Sequence, residues 1–374
     1  MIAALVPSST RPLTIIELCL STGRGGLEGY AAGLVRDLSA RGHQIRVVAR
    51  PDSEFAARAQ HTPALTLTGN RYRPLHGARR LARLARDADI IHIHRSADLP
   101  LAAAAKRLAG GRPALVYSRH MAITRDRRSS PIHRLMFDQV DLMLTLTEQV
   151  AEAARVKLPL PASRIAALPP GIDAGDARMD CAELRPPCVD FVVGCFSRIE
   201  PAKGQHELVE ALIALDREGL ALGAVIAGPV MNADYAERLR ARVRESGLEK
   251  RIRFPGALAD ARPAMSCCDV VAMPSLNETL GLVIVEAMLR GVPVVATAAG
   301  GVLEVITDGE TGLTYPVGDT AALADNLARL ARDEEFRFGL ARAGRSFAHG
   351  HYDRDTHLVR LESFFHELRS SGEN

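Results

Sequence analysis

The sequence has no tryptophan, and aromatic residues make up only 4% of its 374 positions. Proteins that hold single strands of nucleic acid stack bases on aromatic faces, and here no aromatics interleave the basic residues, so nucleic acid is not an expected partner. The six cysteines, at 19, 181, 188, 195, 267 and 268, form no CxxC pair and have no histidine at a zinc-like spacing. They read as reduced, mostly buried thiols. Uncharged apolar runs fall far short of the roughly 18 to 20 residues that a membrane span needs. The opening "MIAALVPSSTRPLTIIELCL" lacks the basic start of a signal peptide, so a cytoplasmic location is expected.

What is present is an ordinary globular composition, 47% hydrophobic and 24% charged. The length favours two domains. Net charge is only +3, yet residues 1–187 carry 27 basic against 17 acidic residues (+10), and the remainder 20 against 27 (−7). The front half therefore suits an anionic neighbour: an acidic substrate, or the inner face of the cytoplasmic membrane. The tracts "RYRPLHGARRLARLAR" and "RHMAITRDRRSSPIHR" concentrate that charge.

Short apolar runs alternate with helical stretches: "LTIIELCL", "LEGYAAGLVRDLSARG", "QIRVVAR", "IIHIH", "ALVYS", "LMLTLT". This is the pattern of βαβ units on a parallel sheet. A polar, proline-rich stretch from about Pro169 to Pro187 interrupts it, and a second series follows from "DFVVGCF" through "DVVAMPS" to "VPVVAT". The reading is α/β with two doubly wound domains, an N-terminal one over 1–175 and a C-terminal one over 188–350. The last helix, 353–374, is expected to pack back on the first domain. Doubly wound sheets bind ligands at the carboxyl ends of their strands, which directs attention to the loops there.

The segment "NETLGLVIVEAMLRGVPVVAT" (277–297) places Glu278 in the turn after a strand and Glu286 about one and a half turns into a helix beginning near Gly281. Free amides around residues 280–282 and the helix dipole suit a phosphate. Carboxylates on either side suit the paired hydroxyls of a sugar and of a ribose. Acids near a helix start also simply favour its dipole. In "SRIEPAKG", however, Arg198 and Lys203 occupy another strand-to-helix turn and can reach a diphosphate.

Taken together, "SRIEPAKG", "PSLNETLGLVIVEAMLRGVPVVATAAGGVLEVITDGETGLTYPVGD", "LSTGRGGLEGYAAGLVRDLSARGHQIRVVA" and "LPPGID" resemble the retaining glycosyltransferases of family 4, which have the GT-B fold. The resemblance spans nearly the whole chain and implies that the domain over 1–175 binds the acceptor, that the domain over 188–350 binds the nucleotide-sugar donor, and that the two face a central cleft. It implies that Arg198 and Lys203 hold the donor diphosphate, Glu286 the ribose hydroxyls and Glu278 the donor sugar. Gly281 and Leu282 at the helix start belong to the same donor site. Thr279 and Leu280 stand where the family has Gly and Phe in EGFG, which keeps the amides and alters the sugar pocket. Gly25 and Gly26 let the backbone approach the phosphate and acceptor. The same resemblance puts His120, just past a strand end, against the donor sugar.

Glu28 breaks a GxGxxG pattern in "TGRGGLEG"; it either touches an acceptor sugar hydroxyl or serves the helix start. His92 and His94 share one face of a strand. No third ligand for a metal is evident, so packing or hydrogen bonding is the better reading of the two. The expected activity is hexosyl transfer from a nucleotide sugar, a UDP-sugar, to a glycan or lipid-linked acceptor in bacterial envelope polysaccharide or lipopolysaccharide synthesis. The expected outcome is retention of configuration, with no metal and no cofactor. A catalytically silent GT-B-like binding module and an NAD(P)-dependent dehydrogenase are the rivals; the second needs the glycine fingerprint that Glu28 breaks.

Overall fold

Buried parallel strands must be apolar on both faces, and the short runs picked out above pair in that way. The structure, a computed structural model, describes residues 11–23, 26–59, 64–66, 74–123, 126, 130–173, 175 and 177–372. The chain divides into two units, 1–171 with 354–374, and 172–353.

In the first unit the strands are β1 (Thr14–Cys19), β2 (Gln44–Ala49), β3 (Ala64–Thr66), β4 (Ile90–Ile93), β5 (Ala114–Arg119), β6 (Leu142–Thr145) and β7 (Ile165–Ala167). They pair in the order β3-β2-β1-β4-β5-β6-β7, all parallel. The order reverses direction between β1 and β4, the place where such sheets open a crevice. The helix Arg354–Gly372 belongs to this unit, burying Leu358, Leu361 and Phe365 in the core that includes Ile15 and Val35.

The second unit repeats the plan with β8 (Val192–Phe196), β9 (Gly223–Ala227), β10 (Ile252–Gly256), β11 (Val270–Met273), β12 (Val294–Thr297) and β13 (Leu313–Tyr315). Their order is β10-β9-β8-β11-β12-β13, again parallel, with the reversal between β8 and β11. Helices Gln205–Arg217 and Ala233–Glu245 start where their apolar periodicity begins, the second capped by the Asn232 side chain on the Tyr235 amide.

One expectation needs correcting. Cys181 and Cys267 are joined in a disulfide, so the six cysteines are not all reduced thiols. The partners lie 86 residues apart, and spacing cannot report a pairing that depends on the turn Cys181–Glu183 folding against the end of another helix. Cys19, Cys195 and Cys268 are free and buried, and Cys188 is free and exposed.

Candidate donor and histidine sites

In the second unit the turns after β8 and β11 come together. Residues Pro201–Lys203 form a single 3-10 turn ended by Gly204 at φ +65°. A Cβ on Gly204 would lie 1.8 Å from the Pro274 carbonyl oxygen, so only glycine lets the two turns touch. The Leu276 amide then donates to the Ala202 carbonyl at 3.0 Å. This docking sets Lys203 Nζ on Glu278 Oε1 at 2.5 Å, both side chains under one-fifth exposed.

Arg198 sits at the same edge, half-exposed and 2.8 Å from Glu200. Its backbone is pinned by the fully buried Gln205, whose amide nitrogen donates to the Arg198 carbonyl at 2.8 Å and to Ser197 Oγ at 2.9 Å. Beside Arg198 a cleft of about 180 Å³ opens among Phe196, Gly228, Pro229, Leu258 and Val283. Its walls are mostly apolar, with Ser197 and Arg198 as the polar residues.

The helix carrying the second acid runs Leu282–Leu289, with Gly281 (φ +77°) at its N-cap and no side chain capping it. Its first-turn amides are therefore not taken up by a capping side chain. The turn before it rests on the chain after β12: the Gly301 amide donates to the Glu278 carbonyl at 2.9 Å, and a Cβ on Gly301 would stand 1.9 Å from the Thr279 carbonyl oxygen. Thr279 is half-buried and Leu280 buried, so Leu280 serves the core while its backbone shapes the turn.

Glu286 is mostly buried, and its carboxyl makes no hydrogen bond among the described residues. Burial pushes its carboxyl up to about 7, against the pull of Arg262, while Asp260 adds to the rise. Arg262 is itself committed to Asp260 through two contacts of 2.9 and 2.8 Å. Glu286 is thus a carboxyl waiting for donors. A wider cavity of about 690 Å³ beside the disulfide, near Arg178, Ser266 and Arg345, contains none of the predicted site residues.

The first unit gathers the histidines. Register sets Glu17 of β1 opposite His92 of β4. Glu17 is fully buried; its Oε1 lies 2.9 Å from His92 Nδ1 and its Oε2 2.7 Å from His94 Nε2. Glu17 is the third group the sequence left those histidines without. The three buried residues bring one ligand atom each within 4.8 Å of one another, and each carboxylate oxygen also lies at hydrogen-bond distance from one ring. Burial pushes the Glu17 carboxyl up, but the His92 and His94 rings more than offset this and hold it at about 2.

The network continues outward. His92 Nε2 is 2.7 Å from Ser118 Oγ, and His94 Nδ1 is 3.3 Å from His120 Nε2. His120, half-buried past the end of β5, has its pKa driven well below the usual value by burial and by the neighbouring His94. Tyr30 meets the His120 ring edge-on with centroids 5.0 Å apart. Its hydroxyl lies 2.9 Å from His357 Nε2, and His357 Nδ1 donates to the Pro169 carbonyl at 2.7 Å.

Gly25 lies outside the described residues. Gly26 opens the helix Gly26–Ala40 and is exposed. Glu28, in the first turn, is buried and folds back on the preceding turn: a Cβ on Gly23 would lie 2.9 Å from its Oε1. That position favours the helix-start role over contact with an acceptor. Glu17, Gln205, Arg262 and Gly301 were missed in the sequence. Only Gly301, in the "AAGG" that follows a strand, carries a local signal.

Each unit thus carries a site at its own sheet's switch point, and two doubly wound units of this kind make up the GT-B glycosyltransferase fold. Residues 24–176 match the family described as "Glycosyltransferase Family 4" and residues 190–333 the one described as "Glycosyl transferases group 1". The chain belongs to the family 4 glycosyltransferases. It is 30% identical to the GDP-mannose-dependent alpha-(1-6)-phosphatidylinositol monomannoside mannosyltransferase of Mycobacterium tuberculosis, over 91% of this chain and 94% of that one. It is 32% identical to the lipopolysaccharide core biosynthesis glycosyltransferase LpsE of Rhizobium meliloti, over 47% of this chain and 50% of that one. Among solved structures it resembles Anabaena HepE in complex with UDP, with a TM-score of 0.83 and 26% identity, over 95% of this chain and 100% of that one.

Proposed function

We propose that the protein moves a sugar from a UDP-sugar to a hydroxyl of a glycan or lipid-linked acceptor of the bacterial envelope, with retention of configuration and without a metal ion. The observation that carries this reading is the Lys203–Glu278 ion pair beside a helix start that no side chain caps, with the unpartnered Glu286 farther along that helix. The base enters the cleft beside Phe196 and Pro229, and the ribose hydroxyls donate to Glu286. The diphosphate then draws Lys203 and Arg198 to itself, and Glu278, released from Lys203, accepts from the sugar hydroxyls. Charge building on the leaving diphosphate is met by two side-chain cations and the backbone amides, which is the service a divalent ion performs elsewhere. The bond from the sugar's anomeric carbon to the phosphate oxygen breaks as the acceptor oxygen attacks from the same face. A donor phosphate oxygen takes the acceptor's proton.

The choice of UDP is supported by the likeness to HepE in complex with UDP, while the mycobacterial relative is named for GDP-mannose. Ligand-induced thermal shift separates these and the rivals. UDP at concentrations far above its Kd should raise the melting temperature by several degrees. Stabilisation by NAD(P) with indifference to UDP, GDP and ADP would remove the transferase reading.

The acceptor side of the reading rests on the surface of the first unit. Helix Pro131–Phe137 exposes Ile132 and Leu135, Met121 is exposed nearby in sequence, and helix Pro74–Ala85 exposes Arg79 and Arg83. No helix among the described residues is long and apolar enough to cross a membrane. Exposed apolar side chains with basic residues suit a lipid surface. Binding to vesicles containing anionic lipid should weaken as salt rises and fall severalfold in Ile132→Ser/Leu135→Ser; equal binding to neutral vesicles at all salt concentrations would count against a charged interface.

A further inference from the structure

We infer that Glu17 and His94 are positioning residues that fix His120 as the neutral Nε2–H form, so that its Nδ1 offers only a lone pair and selects a hydroxyl over a phosphate oxygen. The chain of reasoning starts at the buried end. An ionised carboxylate only accepts hydrogen bonds, so the hydrogens lie on His92 Nδ1 and His94 Nε2, the atoms that face Glu17 at 2.9 and 2.7 Å. Burial, with the nearby His92 adding to it, holds His94 below its usual pKa despite the opposing pull of the Glu17 carboxylate, and this keeps it neutral. A neutral ring with its hydrogen on Nε2 has a bare Nδ1. His120 Nε2, 3.3 Å from that atom, must then supply the hydrogen of the contact.

His120 is left with a bare Nδ1, which has no hydrogen-bond partner among the described residues. A phosphate diester oxygen has no hydrogen to give it, whereas a sugar hydroxyl does. The second half of the inference, that the occupant is a sugar hydroxyl, rests on the sugar-transfer reading; the tautomer does not. Ser118 closes the other branch by donating to His92 Nε2 at 2.7 Å, so His92 is not free to reverse the pattern. The Tyr30–His357–Pro169 contacts hold the ring edge against which His120 packs.

The test is a long-range proton–nitrogen NMR spectrum of the full chain labelled with nitrogen-15 histidine at pH 7.5, with His120 assigned by its loss in His120→Asn. The expected spectrum shows His120 neutral and protonated at Nε2. In Glu17→Gln the amide can offer a hydrogen where the carboxylate could not. His94 can then turn its tautomer over, and His120 gains an Nδ1–H population. In His94→Phe the acceptor is gone and His120 becomes a mixture. Donor turnover should fall about tenfold in both, the lower range for loss of a group that orients a working imidazole, with UDP affinity unchanged. Wild-type His120 found as the Nδ1–H form or as the imidazolium, or a tautomer unaltered in both variants, would overturn the inference. The expected tautomer in a protein that turns over no donor would support the relay while removing the sugar-transfer reading, so the two fail separately.

Discussion

Lys203→Ala is expected to lower kcat for donor turnover by about 10²–10³-fold, the range seen when one preorganised stabiliser of a developing negative charge is removed. Two losses coincide in this variant. The cation that would meet the leaving diphosphate is gone, and Glu278, its partner at 2.5 Å in the ligand-free chain, is left as an unopposed negative charge at the same edge. Stability should fall as well, by about 1–3 kcal/mol, because both side chains are under one-fifth exposed and truncating one partner leaves the other charge uncompensated. Lys203→Arg keeps the charge but replaces a mobile point by a planar fork, and an intermediate loss is expected. Steady-state kinetics beside a thermal melt reads both quantities. A large fall in melting temperature with unaltered turnover would mean that the pair is structural.

Glu286→Gln should produce opposite changes in binding and in stability. In the folded protein burial holds the Glu286 carboxyl up at about 7, above its ordinary 4.5. The folded state therefore holds this proton more tightly than the unfolded chain does. The corresponding stabilisation is full below 4.5 and is lost as pH rises to 7. Above 7 the buried carboxylate costs about 3 kcal/mol, which glutamine avoids. The variant's melting temperature should thus rise relative to wild type as pH goes from 5 to 8. Binding runs the other way. A carboxylate that accepts two ribose hydroxyls must first give up its proton, so wild-type affinity for UDP-glucose should weaken by up to tenfold per pH unit below 7. Glu286→Gln should bind about 10- to 100-fold more weakly at pH 8 and lose that pH dependence. Calorimetry at three pH values decides; a variant that is neither more stable at pH 8 nor weaker in binding would detach Glu286 from the nucleotide.

The two doubly wound sheets were legible because a parallel strand buried on both faces is written as an apolar run, and the runs at 13–20, 90–94, 190–196 and 269–275 all became strands. Helices at Gln205 and Ala233 begin as read, and the helix expected over 281–290 spans Leu282–Leu289. Strands β7 and β13 are three residues each and have no period to detect. Arg198, Lys203, Glu278 and Glu286 stand out in the sequence because they lie in two short contiguous segments that resemble the family's motifs. Glu17 does not, because an acid within "LTIIELCL" has no local signal. Its meaning comes from β4 lying beside β1 although His92 is 75 positions from Glu17, with two other strands between them in the chain. The Cys181–Cys267 bond is hidden in the same way. Glu28 had two readings from sequence, and its burial over the Ser21–Gly23 turn favours the helix start.

The most direct test of the account is acceptor-free hydrolysis of UDP-, GDP- and ADP-sugars by the purified protein, run beside Glu278→Ala and Arg198→Ala. The account predicts release of UDP from one UDP-sugar, lost in both variants while their folds persist. Release of no nucleotide from any donor, with no thermal stabilisation by UDP, GDP or ADP, would contradict it and leave Glu278 and Glu286 as acids that serve a helix start.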